Sequence, residues 1–123
     1  HSIVLVDDDA AIRDLYSTAL IEAGYSVTTG KDGEDGLAKI KAKQPDLIIL
    51  DLMMPKMDGR EVLKALQADT NLKKIPVLIL SALITELEKH DSITAGALDY
   101  IEKSQIESPD QLVAKVNEVL GLK

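Results

Sequence analysis

Carboxylates follow two short apolar runs of the chain, in positions where they could accept a phosphoryl group or bind a metal. Asp7 and Asp8 come directly after residues 3–6, and Asp51 comes directly after residues 47–50. If the two runs are neighbouring strands of one parallel sheet, their ends lie about 5 Å apart. Carboxylates packed so closely repel one another unless some are protonated or a divalent cation offsets the charge. Magnesium suits such a site because it prefers oxygen ligands and keeps several waters.

Two further polar side chains follow apolar runs later in the chain. Ser81 follows residues 77–80, and Lys103 follows the mixed run 99–102. The carboxyl ends of parallel strands meet at one edge of a sheet, so we expect both residues beside the carboxylates. A carboxylate nucleophile, a metal site, a hydroxyl donor and a cation together suit phosphoryl transfer. Taken singly, each residue also has a structural interpretation. Asp9 is a candidate helix cap, Asp7 and Asp8 could be caps or solvated side chains, and Asp51 could be a loop residue. Ser81 could be a turn residue and Lys103 a surface charge.

Short apolar runs alternate with amphipathic segments along the chain. Strands are predicted at residues 3–6, 25–29, 47–50, 77–80 and 99–102, and helices at 10–23, 33–43, 60–68, 84–95 and from Ser108 onward. Ser108 is the expected cap of the last helix, with Pro109 at its first position and Gln111 at its third. Alternation of this kind predicts an α/β fold, with helices on both faces of a parallel sheet.

The composition narrows the class of protein. The 123 residues fit one domain, residues 1–123. His1 and Ser2 are candidates for residues that cloning added to the natural sequence. The net charge of −7 disfavours binding to nucleic acid or to an anionic membrane, because phosphates would be repelled. The absence of cysteine excludes disulfides and thiolate metal sites. With neither a signal peptide nor a long apolar run in the sequence, we expect a cytoplasmic protein.

Five motifs resemble those of the receiver (response-regulator) domain of two-component signalling. They are Val6-Asp7-Asp8-Asp9, the stretch 51–59 (Asp-Leu-Met-Met-Pro-Lys-Met-Asp-Gly), Leu80-Ser81-Ala82, Ala95-Gly96-Ala97 and Tyr100-Ile101-Glu102-Lys103. The match runs in order over nearly the whole chain, and residues 51–59 are its most specific part. The resemblance implies a flavodoxin-like (βα)5 three-layer sandwich whose five-stranded parallel sheet has the order 2-1-3-4-5.

The resemblance implies that one carboxylate accepts the phosphoryl group while others bind the metal. Asp51 would be the phosphorylated residue, and Mg²⁺ (or Mn²⁺) would be the cofactor. The implied metal ligands are Asp7, Asp8, Asp51 and the backbone carbonyl of Met53. The phosphodonor would be a sensor histidine kinase or a phosphotransfer protein. The domain would not be an enzyme in the usual sense, because it would catalyse only its own phosphoryl transfer and autodephosphorylation.

The resemblance assigns the readout of phosphorylation to residues further along the chain. Ser81 would donate its hydroxyl to the phosphoryl group, and Lys103 would pair with Asp51 or its phosphate. Tyr100 would turn inward as Ser81 moves, although ordinary packing on an edge strand is the alternative for this side chain. The switched surface would comprise the fourth helix, the fifth strand and the fifth helix. An output domain or a target protein would read it, and the sequence sets no oligomeric state.

One position departs from the family pattern, which usually has proline directly after the lysine and commonly a cis peptide bond. Ser104 follows Lys103 in this chain. A non-proline cis bond costs about 2.5–4 kcal/mol. We therefore expect a trans bond, or a remodelled loop between Lys103 and Ser108.

Three other functions compete with this interpretation. A phosphohydrolase of the haloacid-dehalogenase type would need a second aspartate two residues after the nucleophile, where this chain has Met53. A flavodoxin-like cofactor binder would need hydroxyl and glycine residues in its first loop, whereas Asp7, Asp8 and Asp9 would repel a phosphate. A phosphorylation-independent interaction module is disfavoured by the intact cluster and is favoured only by Ser104.

Overall fold

A five-stranded parallel sheet runs through the centre of the computed structural model, which describes residues 1–54, 56–81, 90–91, 93 and 96–121. The strands are β1 (Ser2–Val6), β2 (Ser26–Gly30), β3 (Leu47–Leu50), β4 (Val77–Ser81) and β5 (Asp99–Glu102). They pair in the order β2-β1-β3-β4-β5, which confirms the expected topology. The chain adds β2 on one side of β1 and the later strands on the other, so the strand order reverses between β1 and β3. Open α/β sheets bind ligands at such points.

The described helices cover both faces of the sheet. They are α1 (Ala10–Glu22), α2 (Gly33–Lys43), α3 (Gly59–Gln67) and the C-terminal helix (Pro109–Val119), with short 3-10 turns at Leu72–Lys74 and Lys103–Gln105. The fourth helix predicted at 84–95 falls largely outside the described residues, as do Ala82 and Ala95 of the family motifs. Within the described residues, no helix combines the length and the apolar character needed to span a membrane.

Alternate side chains of each central strand enter two separate apolar cores. In β1, Val4 and Val6 pack with residues of α2 and α3, whereas Ile3 and Leu5 pack with residues of α1 and the C-terminal helix. This division follows from the two-residue period of a strand. Both faces are covered, so the central strands are apolar throughout. The result is the expected three-layer α/β sandwich with a flavodoxin-like sheet.

The ends of two helices follow from local chemistry. Gly24, directly after the α1 cap residue, has φ +103°, a left-handed conformation that glycine adopts without steric cost. At the other end of the chain, Ser108 holds the cap position, but its side chain makes no capping hydrogen bond. Gln111 Oε1 accepts instead from the backbone N–H of Glu107, at 2.5 Å. The expected cap position of Ser108 and the place of Pro109 at the start of the helix are therefore confirmed, without a side-chain capping bond from Ser108.

Candidate functional site

The loop after β1 buries one aspartate and leaves the next exposed. Asp7 is fully buried, and its backbone N–H donates to Gly30 O at 3.1 Å. Asp7 Oδ1 accepts from the backbone N–H of Asp9 at 3.0 Å. The carboxylate of Asp9 caps α1 by accepting from the N–H groups of residues 11 and 12, which confirms its structural interpretation. Asp8, between the two, is exposed to solvent.

Asp51 lies directly beside this loop because β1 and β3 are paired in register. Val6 is opposite Leu50, and the backbone N–H of Asp51 donates to Val6 O at 3.0 Å. The side chain of Asp51 is buried, and its Oδ1 accepts from the backbone N–H of Met53 at 3.3 Å. Gly59 packs so closely beneath it that a Cβ would lie 2.3 Å from Asp51 O. Backbone pairing thus fixes this carboxylate from two sides.

The structure brings together the three carboxylates that the sequence singled out. Oxygen atoms of Asp7, Asp8 and Asp51 all lie within 4.8 Å of one another. Asp7 Oδ2 is buried and accepts no hydrogen bond of good geometry within the described residues. A buried oxygen of this kind costs free energy unless a cation or a donor satisfies it. An all-oxygen donor set with one exposed member fits Mg²⁺ or Mn²⁺.

Lys103 brings a positive charge into the same cluster. Its Nζ lies 2.7 Å from Asp7 Oδ2 and 3.3 Å from Asp51 Oδ2. The residue begins the 3-10 turn Lys103–Gln105, and no cis peptide bond occurs among the described residues. The bond to Ser104 is therefore trans, as expected, and the lysine still spans the distance to both carboxylates.

Burial and neighbouring charge perturb the proton affinity of two groups in the cluster. Burial, followed by the negative charge of Asp7, raises the pKa of Asp51 from 3.8 to about 6, although Lys103 opposes the shift. Burial alone would lower the pKa of Lys103, but its contacts with Asp7 and Asp51 raise it above 10.5. At neutral pH Asp51 is thus ionised, although burial disfavours its charged form, and Lys103 is protonated and positively charged.

Ser81 and Tyr100 lie on the two strands nearest this cluster. Ser81 is fully buried and is the last residue of β4, paired with Glu102, so the predicted strand end at residue 80 is one residue short. Tyr100 lies opposite Ile79 and is partly buried against the core beneath α2 and α3. This packing is compatible with both interpretations of Tyr100, so its switch role stays a prediction.

The exposed side of the site is a depression of about 360 Å³. Its lining includes Asp8, Met53 and Arg60, and Met53 is 66% exposed. Through this depression, water and small molecules have access to the Asp8 side of the carboxylate cluster.

Sequence reasoning missed three residues that hold the loops around the cluster. Arg13 Nη1 donates to the backbone carbonyl of Asp7 at 2.7 Å. Lys56 has a left-handed backbone, with φ +65°. Its Nζ lies 3.6 Å from Asp32 Oδ2, so this ion pair joins the loops after β2 and β3. The only sequence signal for Arg13 is its place in the first turns of α1, on the side facing the preceding loop. The Lys56 contact has no local signal.

The acidic cluster and Lys103 lie at the carboxyl edge of an open parallel sheet, beside the point where the strand order reverses and where such sheets bind ligands. The family model described as "Response regulator receiver domain" matches residues 3–117. The chain belongs to this family of receiver domains, as its motifs indicated.

Curated relatives include transcriptional regulators. The chain is 42% identical over 118 residues to the "DNA-binding dual master transcriptional regulator RpaA" of Synechocystis, with 96% of this chain and 48% of that protein covered. It is 40% identical over 118 residues to the "Alkaline phosphatase synthesis transcriptional regulatory protein PhoP" of Bacillus subtilis, with the same shares covered. The chain therefore spans about half the length of the curated relatives it matches.

Solved structures with the same fold include chemotaxis proteins and kinase receivers. The chemotaxis response regulator CheY4 of Vibrio cholerae superimposes with a TM-score of 0.88 at 33% identity, covering 96% of this chain and 97% of that one. The signal receiver domain of a signal transduction histidine kinase from Syntrophus aciditrophicus has a TM-score of 0.85 at 29% identity, covering 98% and 89%. Membership of this family makes the chain a two-component signalling domain rather than a classical enzyme.

Proposed function

We propose that this receiver domain, residues 1–123, accepts a phosphoryl group on Asp51 in a Mg²⁺-dependent reaction. The observation that carries the proposal is the set of three carboxylates whose oxygens lie within 4.8 Å of one another, two of them buried, with Lys103 as the positive charge beside them. The expected ligands of Mg²⁺ or Mn²⁺ are Asp7, Asp8, Asp51 and the backbone carbonyl of Met53. When bound, such an ion supplies positive charge to the oxygens of the transferring phosphoryl group.

Asp51 is the proposed nucleophile. Its pKa of about 6 leaves the carboxylate ionised at neutral pH, while burial removes part of its hydration. One carboxylate oxygen attacks phosphorus, the bond from phosphorus to the donor breaks, and the leaving group takes the electron pair. The hydrogen bond from Met53 N–H to Oδ1 holds the carboxylate in place during the attack. The product is an acyl phosphate, which water hydrolyses, so the modification is temporary.

Lys103 and Ser81 are the proposed contacts of the new phosphate. Lys103 already lies 3.3 Å from Asp51 Oδ2, and Ser81 ends the adjacent strand β4. Phosphorylation adds about −1.5 to −2 charges, which Lys103 and the Ser81 hydroxyl would stabilise. Movement of Ser81 toward the phosphate would leave room for Tyr100 on the neighbouring strand. The affected surface includes β5 and the C-terminal helix, together with the predicted fourth helix outside the described residues.

The proposed partners follow from the family. The donor is a sensor histidine kinase or a phosphotransfer protein, and the switched surface acts on an output domain or a target protein. The RpaA and PhoP relatives, about twice as long as this chain, are described as transcriptional regulators. A regulatory output of that kind is compatible with a receiver that does not itself contact nucleic acid.

The alternative of a phosphorylation-independent module loses its main argument. Ser104 favoured it because the usual proline is missing, yet Lys103 still reaches both Asp7 and Asp51. The contacts of Lys103 with both carboxylates therefore support phosphoryl transfer over the phosphorylation-independent module.

Incubation with acetyl phosphate, followed by intact-protein mass spectrometry, tests the proposal. The wild type should gain one phosphate in Mg²⁺ and none in excess EDTA, and Asp51→Asn should gain none. Asp58→Asn is the matched control: Asp58 caps α3 in the same loop region, and asparagine caps equally well, so phosphorylation should persist. A wild type that gains no phosphate in Mg²⁺ would contradict the proposal.

A further inference from the structure

Arg13 ties the first helix to the loop that carries the acidic cluster. The residue lies in the second turn of α1, and its Nη1 donates a partly buried hydrogen bond to the backbone carbonyl of Asp7 at 2.7 Å. This carbonyl is part of the peptide group that joins Asp7 to Asp8. The guanidinium therefore acts on the one peptide that connects the buried aspartate with the exposed one.

Besides its carbonyl, Asp7 makes hydrogen bonds through its backbone N–H and one of its two carboxylate oxygens. Its backbone N–H donates to Gly30 O, and its Oδ1 accepts from Asp9 N–H. With the carbonyl fixed by Arg13, the remaining oxygen, Oδ2, faces the cluster, where Lys103 Nζ lies 2.7 Å away without the alignment of a hydrogen bond. This pattern fixes the residue on every side except the side that faces Asp51.

Asp8 has fewer means of being positioned. Its side chain is exposed, yet one of its carboxylate oxygens belongs to the set within 4.8 Å. An exposed side chain can adopt several rotamers, so the orientation of its backbone decides how often the carboxylate lies in the cluster. That orientation is set by the Asp7–Asp8 peptide.

We propose that Arg13 is a positioning residue for Mg²⁺ binding, which holds the Asp7–Asp8 peptide so that the Asp8 carboxylate joins those of Asp7 and Asp51. The inference rests on the proposed function, because it concerns the same metal site. Groups that orient metal ligands without touching the metal commonly change affinity by about 10- to 100-fold when they are removed.

The sign of the effect separates positioning from simple electrostatics. A guanidinium close to a cation site repels the cation, so its charge alone disfavours Mg²⁺ binding. If charge were its only influence, removal of Arg13 would tighten Mg²⁺ binding. If Arg13 positions the ligands, its removal weakens binding despite the loss of repulsion.

Isothermal titration calorimetry with MgCl₂ measures this sign directly. Arg13→Ala removes both donor and charge, and we expect its Mg²⁺ dissociation constant to rise about 10-fold. Arg13→Gln should also bind more weakly, because its shorter amide does not span the distance that the guanidinium spans. Arg13→Lys retains a donor and the charge and should recover most of the wild-type affinity. Thermal unfolding in EDTA checks that each variant is folded, and Arg13→Gln decides the sign if Arg13→Ala is not.

Lys39→Ala is the matched control. Lys39 Nζ donates to the backbone carbonyl of Thr29 at 2.8 Å, so it is also a helical cation bound to a strand-end carbonyl, but outside the acidic cluster. Its Mg²⁺ affinity should equal that of the wild type. Wild-type or tighter binding by Arg13→Ala and Arg13→Gln would overturn the inference while leaving the proposed function standing. A wild type that does not bind Mg²⁺ would overturn both.

Discussion

The two sides of the acidic cluster are built in different ways. On the β1–β3 side, Asp7 and Asp51 are buried and fixed by backbone hydrogen bonds to the neighbouring strands. On the β4–β5 side, Lys103 reaches the cluster from a 3-10 turn through a long side chain that is 18% exposed. All residues of β3 are buried, whereas all residues of β5 are only partly buried. The register of the strands therefore positions the carboxylates proposed to react and to bind the metal, whereas the length of the Lys103 side chain positions the proposed contact of the phosphate.

A clash beneath Asp51 should produce the largest effect if the β1–β3 side is as rigid as this comparison implies. A Cβ on Gly59 would lie 2.3 Å from Asp51 O and 2.7 Å from Leu52 Cα, both backbone atoms. We expect Gly59→Ala to lower the free energy of unfolding by ~3 kcal/mol and to weaken Mg²⁺ binding. Urea unfolding and calorimetry would measure the two effects.

Gly121→Ala is the control for this substitution. Gly121 has φ +72°, and no atom of the described residues lies within 4 Å of the position that a Cβ would take, so the substitution adds backbone strain without a clash. It should cost about 1 kcal/mol and leave Mg²⁺ affinity unchanged. Equal effects of the two substitutions would show that the backbone beneath Asp51 is not rigid.

Loss of the cation on the β4–β5 side should have the next largest effect. Lys103→Met leaves two buried carboxylates without their positive partner, so we expect a loss of about 2 kcal/mol in EDTA. Mg²⁺ should restore much of this loss, because it supplies the missing charge. Denaturant unfolding with and without Mg²⁺ measures both values.

Lys115→Met provides the comparison for Lys103→Met. Lys115 Nζ lies 2.7 Å from Asp99 Oδ2, but both side chains are partly exposed. Its substitution should cost less than about 1 kcal/mol and show no dependence on Mg²⁺. A Mg²⁺-independent loss in Lys103→Met would contradict the role of the lysine as counter-charge of the cluster.

Ionisation of Asp51 should lower the stability of the metal-free domain as the pH rises from 4 to 6. The pKa of Asp51 is about 6 in the folded state and 3.8 without the fold, so between these values the folded state binds more protons than the unfolded state. Ionisation of Asp51 then opposes folding by on the order of 1–2 kcal/mol, after discounting for solvent screening. Chemical unfolding across this range in EDTA, compared with Asp51→Asn, isolates the contribution. An identical slope in Asp51→Asn would refute it.

Restoring the family's usual proline should have the smallest effect on the metal site. Proline disfavours helical conformations of the preceding residue, so Ser104→Pro should displace Lys103 from the 3-10 turn that it begins. We expect an altered rate of phosphorylation by acetyl phosphate, with Mg²⁺ affinity nearly unchanged. A marked loss of Mg²⁺ affinity would mean that the two sides of the cluster are not independent.

The same contrast explains what could be predicted from the sequence. The strand ends at Asp7 and Asp51 were evident because uninterrupted apolar runs lead into them. The cap role of Asp9 follows from its place before α1. These features depend on local patterns of composition, which physical chemistry ties directly to strands and helix starts.

Contacts between segments distant in the chain could not be predicted in this way. The inclusion of Ser81 in β4 depends on its pairing with Glu102, and the Lys56–Asp32 contact joins two separate loops. The hydrogen bond from Arg13 to the Asp7 carbonyl depends on the orientation of α1 relative to the end of β1. Side-chain reach across loops has no sequence period, so these features emerge only from the fold.

The central claim is that Asp51 is the residue modified, and borohydride trapping tests it most directly. Treatment of the acetyl phosphate-reacted protein with sodium borohydride converts an aspartyl phosphate to homoserine, which peptide mass spectrometry locates. We predict homoserine at position 51 in samples prepared with Mg²⁺ and none in samples prepared in EDTA. Homoserine at Asp7 or Asp8 instead, or at no position in the Mg²⁺ sample, would contradict the account.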